Sequence, residues 1–377
     1  MIEFKNYVFI TEASARIQHA EDIIFWEGSR GALRSIKSLR DLQNNHRDVT
    51  LKWDGSPAMI FGRDKSGDFI LTDKSGFTAK GYNGLAKSGE ELREMFLSRS
   101  GGARREVPSY VEFADRMASI FNMFKQAVPK SYRGFFKGDL LYTSPPNIYG
   151  GNYIFKPNIV EYGVDISSDL GRRISKSKAG IVIHREVDPD GNETAVTNED
   201  IYNSTTVLVV PPVTVEEAPA LNINDLDIIQ DAIMKNSVSI DKMLDERTLR
   251  DIKLSNFATI LYTYTNSKVD TGLDTLGLDF VEWVSTSPKF TENKKQNIIN
   301  YVQENLEAFG AVWQIVNGIM RIKDNIINQF DSRSQIVKQS INGQVGGEGY
   351  VLAHTGGDIK LVPRETFSKA NRSITRE

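Results

Sequence analysis

Apolar residues recur at helical spacing through "QHAEDIIFWEGSRGALRSIKSLRDLQNN" (18–45), which predicts one or two short helices interrupted by Gly28 and Gly31. The period then changes from helical to alternating. "VTLKW", "AMIFGR" and "DFILTD" alternate or run apolar between the turn-prone "DGSP" and "DKSGD", the pattern of an antiparallel meander. Helical spacing returns over 86–130, most clearly in "GEELREMFLSR" and "SYVEFADRMASIFNMFKQAV". A second β block follows with "YRGFFKGDLLY", "YIFKPNIVEYGVDI", "KAGIVIHREV" and "TTVLVVPPVTV", the last interrupted by Pro211 and Pro212.

Residues 221–340 change character. They read as successive amphipathic helices with no strand pattern between them, and "GEGYVLAHTGGDIKLVPRETFSK" then returns to two short strands around a Gly-rich turn. A β-rich body that is left near 213 and re-entered near 345 predicts an α+β protein in which 345–370 completes the body's sheet. The expected parts are a helical segment at 1–45, a body at 46–213 and 345–377, and an inserted all-helical domain at 214–344. The aromatic residues Phe257, Tyr262, Trp283 and Trp313 belong to that domain's core.

Composition narrows the chemistry. A net charge of -3 excludes binding of nucleic acid by bulk charge, but leaves room for a local basic groove. With no cysteine, thiolate metal sites, disulfides and cysteine nucleophiles are excluded. His19, His46, His184 and His354 lack metal-ligand spacing. The start, "MIEFKNYVFITEAS", does not read as a secretion signal, and no segment approaches the roughly 20 apolar residues that span a bilayer. The expectation is a soluble, cytoplasmic protein with no membrane partner.

One lysine breaks the strand pattern. Lys52 stands between Leu51 and Trp53 and is followed by Asp54-Gly55. An ammonium flanked by apolar groups needs solvent or a partner, and surroundings that weaken its charge make the amine a nucleophile. Read from these residues alone, a lysine pointing outward on an edge strand explains the pattern as well.

"KWDGS" resembles the K-x-D-G motif of the covalent nucleotidyltransferases, the superfamily of ATP-dependent DNA and RNA ligases and messenger-RNA capping enzymes. The resemblance implies that Lys52 attacks the α-phosphorus of ATP and carries the nucleotide as a phosphoramidate. Asp54 and Gly55 complete the motif. "TDKSG" resembles the second motif, with Lys74 as the basic residue; "FFKGDLLY" the third, with Asp139 in the acidic place. "IVEYGVDI" is similar to the strand pair that stacks a ring on the base, with Tyr162 or Phe155 as that ring. "GEGYVL" supplies Glu348 of the fourth motif and "DIKLV" supplies Lys360 of the fifth, a grip on the α-phosphate. "SKAGIVIHR" is similar to the fourth motif too, but Ala179 stands where the acid belongs, and it reads as a core strand with His184 at the surface or satisfied. The implied cofactor is magnesium or manganese, held by Asp139 and Glu348. The implied fold is a ligase-like, ATP-grasp-related antiparallel-sheet nucleotidyltransferase body with a helical insertion.

The match covers about 45–165 and 345–370, in the family's motif order. It departs from the family at Asp139, shorter than the usual glutamate; at Val362, where a second lysine is usual; and at Pro57, where many DNA ligases have arginine. No OB-fold domain is expected after the fifth motif, so the resemblance is closest to phage-type RNA ligases acting in an infected bacterial cell. RNA is preferred to DNA as the nucleic-acid partner, with a protein partner for the helical insertion. The alternatives are a catalytically degenerate binding or assembly factor, a DNA ligase and a protein-modifying nucleotidyltransferase. Arg104, Arg105 and the basic tail with Arg364, Lys369 and Arg372 read as solvated charges, and Lys137 as either a salt bridge or a phosphate contact.

Overall fold

A computed structural model describes residues 18–78, 85–190, 192–194, 196, 204–269, 272–273, 275–334, 336–353 and 357–374, so His354 and part of the Gly-rich turn lie outside it. The chain folds as two compact units. The first takes residues up to Lys52, Val213–Ser334 and those from Glu348 onward; the second takes Trp53–Pro212 and Gln335–Gly347.

The first unit opens with strand β1 (Gln18–His19), helix α1 (Ile23–Asn45) and strand β2 (Val49–Leu51). Buried Ile24, Ala32, Ile36 and Leu39 fall on one stripe of α1. The helix runs through Gly31 but kinks at Gly28, whose φ of 62° lies in the left-handed region that favours glycine. A β-carbon there would stand 2.4 Å from Asp241, whose carboxylate accepts from the backbone N–H (2.7 Å) and hydroxyl (2.8 Å) of Ser29. That carboxylate restarts the helix after the kink, as an N-cap would.

In the second unit, β3 (Ala58–Arg63) and β4 (Phe69–Asp73) form a hairpin, followed by helices α2 (Gly89–Leu97) and α3 (Pro108–Ala127). Next come β5 (Gly134–Tyr142), β6 (Asn147–Tyr149), β7 (Asn152–Phe155), β8 (Val160–Asp165), β9 (Ala179–Val187), β10 (Glu193–Thr194) and β11 (Val207–Val209). One sheet has the order β10-β9-β5-β3-β4, with β11 parallel to β9. Its apolar face is covered by α2 and α3 through Phe61, Phe96, Phe121, Phe124, Phe136 and Ile181.

The chain returns to the first unit for a run of helices that includes α4 (Ile223–Met243), α5 (Phe257–Lys268) and α6 (Leu306–Arg333). Here Tyr264, Phe280, Phe309 and Trp313 stack edge to face, and Phe25 of α1 joins them against Trp313. The expected all-helical insertion is therefore not a body of its own. Its helices share a core with α1, because the apolar stripe of α1 needs a cover and these helices supply it.

After α6, β12 (Val337–Ile341) and β13 (Gln344–Val345) complete a second-unit sheet of order β13-β12-β8-β7-β6. Then β14 (Tyr350–Leu352) and β15 (Ile359–Leu361) join the first unit in a sheet of order β1-β15-β14-β2. The expected meander is thus divided. β2 does not pair with β3: its edges are taken by β14 and by Val213, whose carbonyl accepts from the N–H of Leu51 at 2.8 Å. The class is α+β with predominantly antiparallel sheets, and among the described residues no helix is long and apolar enough to cross a membrane.

Candidate functional site

The division into units falls inside the "KWDGS" motif, between Lys52 and Trp53. In the first unit, β2 ends at Leu51, and the N–H of Lys52 still donates to the carbonyl of Gly349 at 2.9 Å, the position before β14. This last rung of the ladder brings Glu348 beside the lysine. The ammonium of Lys52 forms an ion pair with a carboxylate oxygen of Glu348, and the two side chains are only 22% and 15% exposed.

Strand alternation sets what shares that face. Val49, Leu51, Tyr350, Leu352, Ile359 and Leu361 point into the core, while Thr50, Val351 and Lys360 form the half-buried row opposite. The register places Thr50, Val351, Lys360 and His19 side by side across four strands. Lys52, two positions beyond Thr50, belongs to the same face. The sheet thus gathers three of the sequence-predicted residues, Lys52, Glu348 and Lys360, from opposite ends of the chain.

His19 joins them, and nothing in histidine spacing pointed to it. Burial first, and then the positive charges of Arg364, Lys323, Lys360 and Lys52, hold its imidazole well below the ordinary histidine range, so the ring is neutral at neutral pH. Its Nδ1 is buried without a hydrogen-bond partner. The following residues carry a hidden ionic cluster. Glu21 bonds Lys323 at 2.7 Å and lies 2.8 Å from Arg364, which also pairs with Asp22. Burial opposes the charge on Glu21, but Lys323 and Arg364 outweigh it and lower its pKa; burial pushes Asp22 up to about 7 despite Arg364. Arg364, expected to be solvated, is 1% exposed because these two acids require a buried cation. The cluster anchors the β1–α1 junction and so holds His19 against Lys360.

The remaining predicted residues lie in the second unit. Asp54 is buried, and its carboxylate accepts from Asn158 (2.8 Å) and from the N–H groups of Ile159 (3.0 Å) and Val160 (3.2 Å). Its own N–H donates to the Tyr162 hydroxyl at 2.6 Å. Asp54 therefore fixes the turn onto β8 rather than pointing at a ligand. Tyr162 is fully buried between Trp53 (centroids 4.6 Å apart) and Phe155 (5.6 Å), and Phe155 is buried too, so neither presents a ring face to a base. The expected stacking role gives way to a packing role because this aromatic trio is the core beneath the motif turn.

Gly55 owes its identity to close approach: a β-carbon would sit 2.6 Å from that of Asp139 and 3.0 Å from the Leu140 carbonyl, which accepts from the Ser56 N–H at 2.9 Å. The motif turn thereby lies on β5 at Asp139. That carboxylate meets Nε2 of His184 at 2.9 Å, a pairing hidden in sequence because a register shift after Lys137 rotates β5 against β9. Lys74 is exposed at the start of the short helix Lys74–Thr78, on a turn held by Asp73, which accepts two 2.6 Å bonds from Arg99 and one of 2.7 Å from the Gly76 N–H. Lys137 pairs with Glu193 at 2.7 Å and Arg105 with Glu94 at 2.6 Å, and Arg104 lies over the ring of Tyr110.

Among the described residues, no three His, Asp or Glu side chains cluster as a metal site. Glu348 in the first unit and Asp139 in the second each offer hard oxygen donors singly, so a magnesium or manganese ion at either would need most of its ligands from water or from a bound molecule.

No curated protein and no solved structure matches the chain. The family described as "Family of unknown function (DUF6267)" matches residues 15–98 and 103–376, nearly the whole length, and the chain belongs to it.

Proposed function

We propose that the protein is an ATP-dependent covalent nucleotidyltransferase of the RNA-ligase kind, with Lys52 as its nucleophile. The observation that carries this reading is the ion pair between Lys52 and Glu348, 296 positions apart, with Lys360 on the same half-buried sheet face. A half-buried lysine with only a structural role is served by the carboxylate alone; the second lysine on that face is what binding a phosphate adds.

In the step proposed, the Lys52 ammonium first gives up a proton to solvent, and the amine so formed gives its lone pair to the α-phosphorus of ATP. The bond from that phosphorus to the bridging oxygen breaks and pyrophosphate leaves; the surplus amine proton passes to Glu348. Lys360 attracts the non-bridging oxygens as their charge develops. Magnesium or manganese, when bound, would neutralise phosphate charge. Asp54 and Tyr162 act by holding the motif turn, and Gly55 by letting that turn lie on β5. The nucleotide would then pass to a 5′-phosphate end of RNA, from which a 3′-hydroxyl displaces it.

The test is incubation of purified protein with α-labelled ATP or GTP and magnesium or manganese, read on a denaturing gel. A covalent, acid-labile label is expected, absent in Lys52→Ala and formed about a hundredfold more slowly in Glu348→Gln. A folded protein that takes no label from any nucleotide overturns the reading.

A further inference from the structure

The second unit contains an open cleft of about 670 Å³ where α3 ends, and none of the described residues lining it is acidic. Lys125, Lys130 and Arg133 line it as cations, with Asn122 and Gln126 as amides. A helix C-terminus ordinarily repels anions, because its last carbonyls carry partial negative charge. Here that charge is already answered. Arg63, buried at 7% exposure, donates to the carbonyls of Lys125 (3.1 Å), Val128 (3.0 Å), Pro129 (2.9 Å) and Gly67 (3.1 Å).

The rim cations are left to face outward. Lys125 and Lys130 are exposed, and Arg133 is steadied by bonds from one guanidinium nitrogen to the carbonyls of Lys130 (2.9 Å) and Tyr132 (2.7 Å). Asp68, whose carboxylate senses Lys125, is paired with Lys87 at 2.8 Å. Among the described residues no aromatic side chain lines the cleft, so they offer a nucleobase nothing to stack on.

We propose that this cleft binds the sugar-phosphate backbone of single-stranded RNA, through Lys125, Lys130 and Arg133 to phosphates and Asn122 and Gln126 to sugar hydroxyls. The choice of RNA as occupant rests on the nucleotidyltransferase reading. The site itself does not involve Lys52.

Fluorescence anisotropy with an end-labelled single-stranded RNA, titrated over a range of salt, tests it. The triple variant Lys125→Glu/Lys130→Glu/Arg133→Glu should bind at least about tenfold more weakly, with a salt slope shallower by about 2, since each lost single-strand phosphate contact removes about 0.7. A control with the same charge change on exposed residues elsewhere, Arg172→Glu/Lys176→Glu/Lys178→Glu, should keep most of the affinity. Binding of the folded triple variant within about twofold of the parent, or equal loss in the control, overturns the proposal. So does competition by inorganic phosphate or a mononucleotide as effective as unlabelled RNA, which would make this a small-anion site. Lys52→Ala should bind RNA like the parent, so failure of labelling and failure of this site remain separate results.

Discussion

Glu21, Asp22, Lys323 and Arg364 of the first unit are buried and answer one another, charge against charge. Arg63 and Asp54 of the second unit are buried too, yet Arg63 directs its guanidinium to four backbone carbonyls, and Asp54 its carboxylate to two backbone N–H groups and Asn158. The two arrangements do different work. A network of charges ties elements from distant parts of the chain, and the ionisation of each member depends on the others, as the opposite displacements of Glu21 and Asp22 record. A charge held by backbone dipoles fixes one loop, with directional bonds that no second ionisable group can upset.

Breaking the network should have the largest effect. Lys323→Met removes the cation that meets Glu21 where neither is exposed, and leaves a buried carboxylate short of partners. A loss of about 3–5 kcal/mol in denaturant unfolding is expected. Adding Glu21→Gln should recover part of it, because the stranded charge goes too. If the double variant is no more stable than Lys323→Met alone, the four residues do not act as one network and the contrast between the units fails.

The network also marks the limit of what the sequence displayed. Glu21 and Asp22 precede an amphipathic helix and Arg364 sits in a basic tail, where solvation is the ordinary reading; only burial by α6, whose Lys323 lies 302 positions from Glu21, makes them partners. Strand positions were legible, since "DIKLV" alternates and "AMIFGR" and "DFILTD" run apolar as strands buried on both faces do, but their partners were not. β2 reads as the first strand of a meander, and its two neighbours are chosen by Val213 and Gly349, which no local pattern announces. Among the candidate residues, Lys52, Glu348 and Lys360 were recognised by motif order; Lys52 and Lys360 lie on one sheet face, and Glu348, just outside β14, pairs with Lys52. Asp54 and Tyr162 were recognised too, and the fold uses them to hold a turn. Motif identity named residues that the fold brings together, but not which way each side chain points. His19 and His184 escaped because a strand pairing and a register shift, rather than spacing, put them beside Lys360 and Asp139.

Removing the backbone-held cation should cost less and act locally. Arg63→Met leaves four carbonyls without their donor, but the adjoining cleft admits water to part of the loop, so about 2 kcal/mol is expected. Hydrogen exchange should quicken over 125–133 and stay near the parent rate in the helices of the first unit. No single change of a neighbouring acid should restore the loss, since no carboxylate is stranded. Uniform quickening across the chain would mean that Arg63 supports the whole unit rather than its loop.

A third arrangement supplies the smallest effect and the sharpest sign. Asp331, on α6, is half-buried against the hydroxyl of Tyr350, which donates to it at 2.7 Å, and the loss of water around it raises its pKa to about 6, a rise that this bond only partly offsets. In the unfolded chain the same carboxyl titrates near the ordinary value of about 3.9. Between these values the folded state holds a proton that the unfolded state has lost, so this group's contribution to stability is complete below about pH 4 and disappears as pH rises through about 6. Asp331→Asn keeps an acceptor for Tyr350 and removes the titration. Relative to the parent, the variant should gain about 1 kcal/mol between pH 4.5 and pH 8, below the roughly 3 kcal/mol that two full pKa units would give, because the carboxylate keeps some contact with water. Thermal unfolding at the two pH values measures it. A difference that stays constant across the range, or that shrinks as pH rises, would show that a neutral hydroxyl serves Asp331 as well as Lys323 and Arg364 serve Glu21, and would remove the reason for setting charged partners apart from neutral ones.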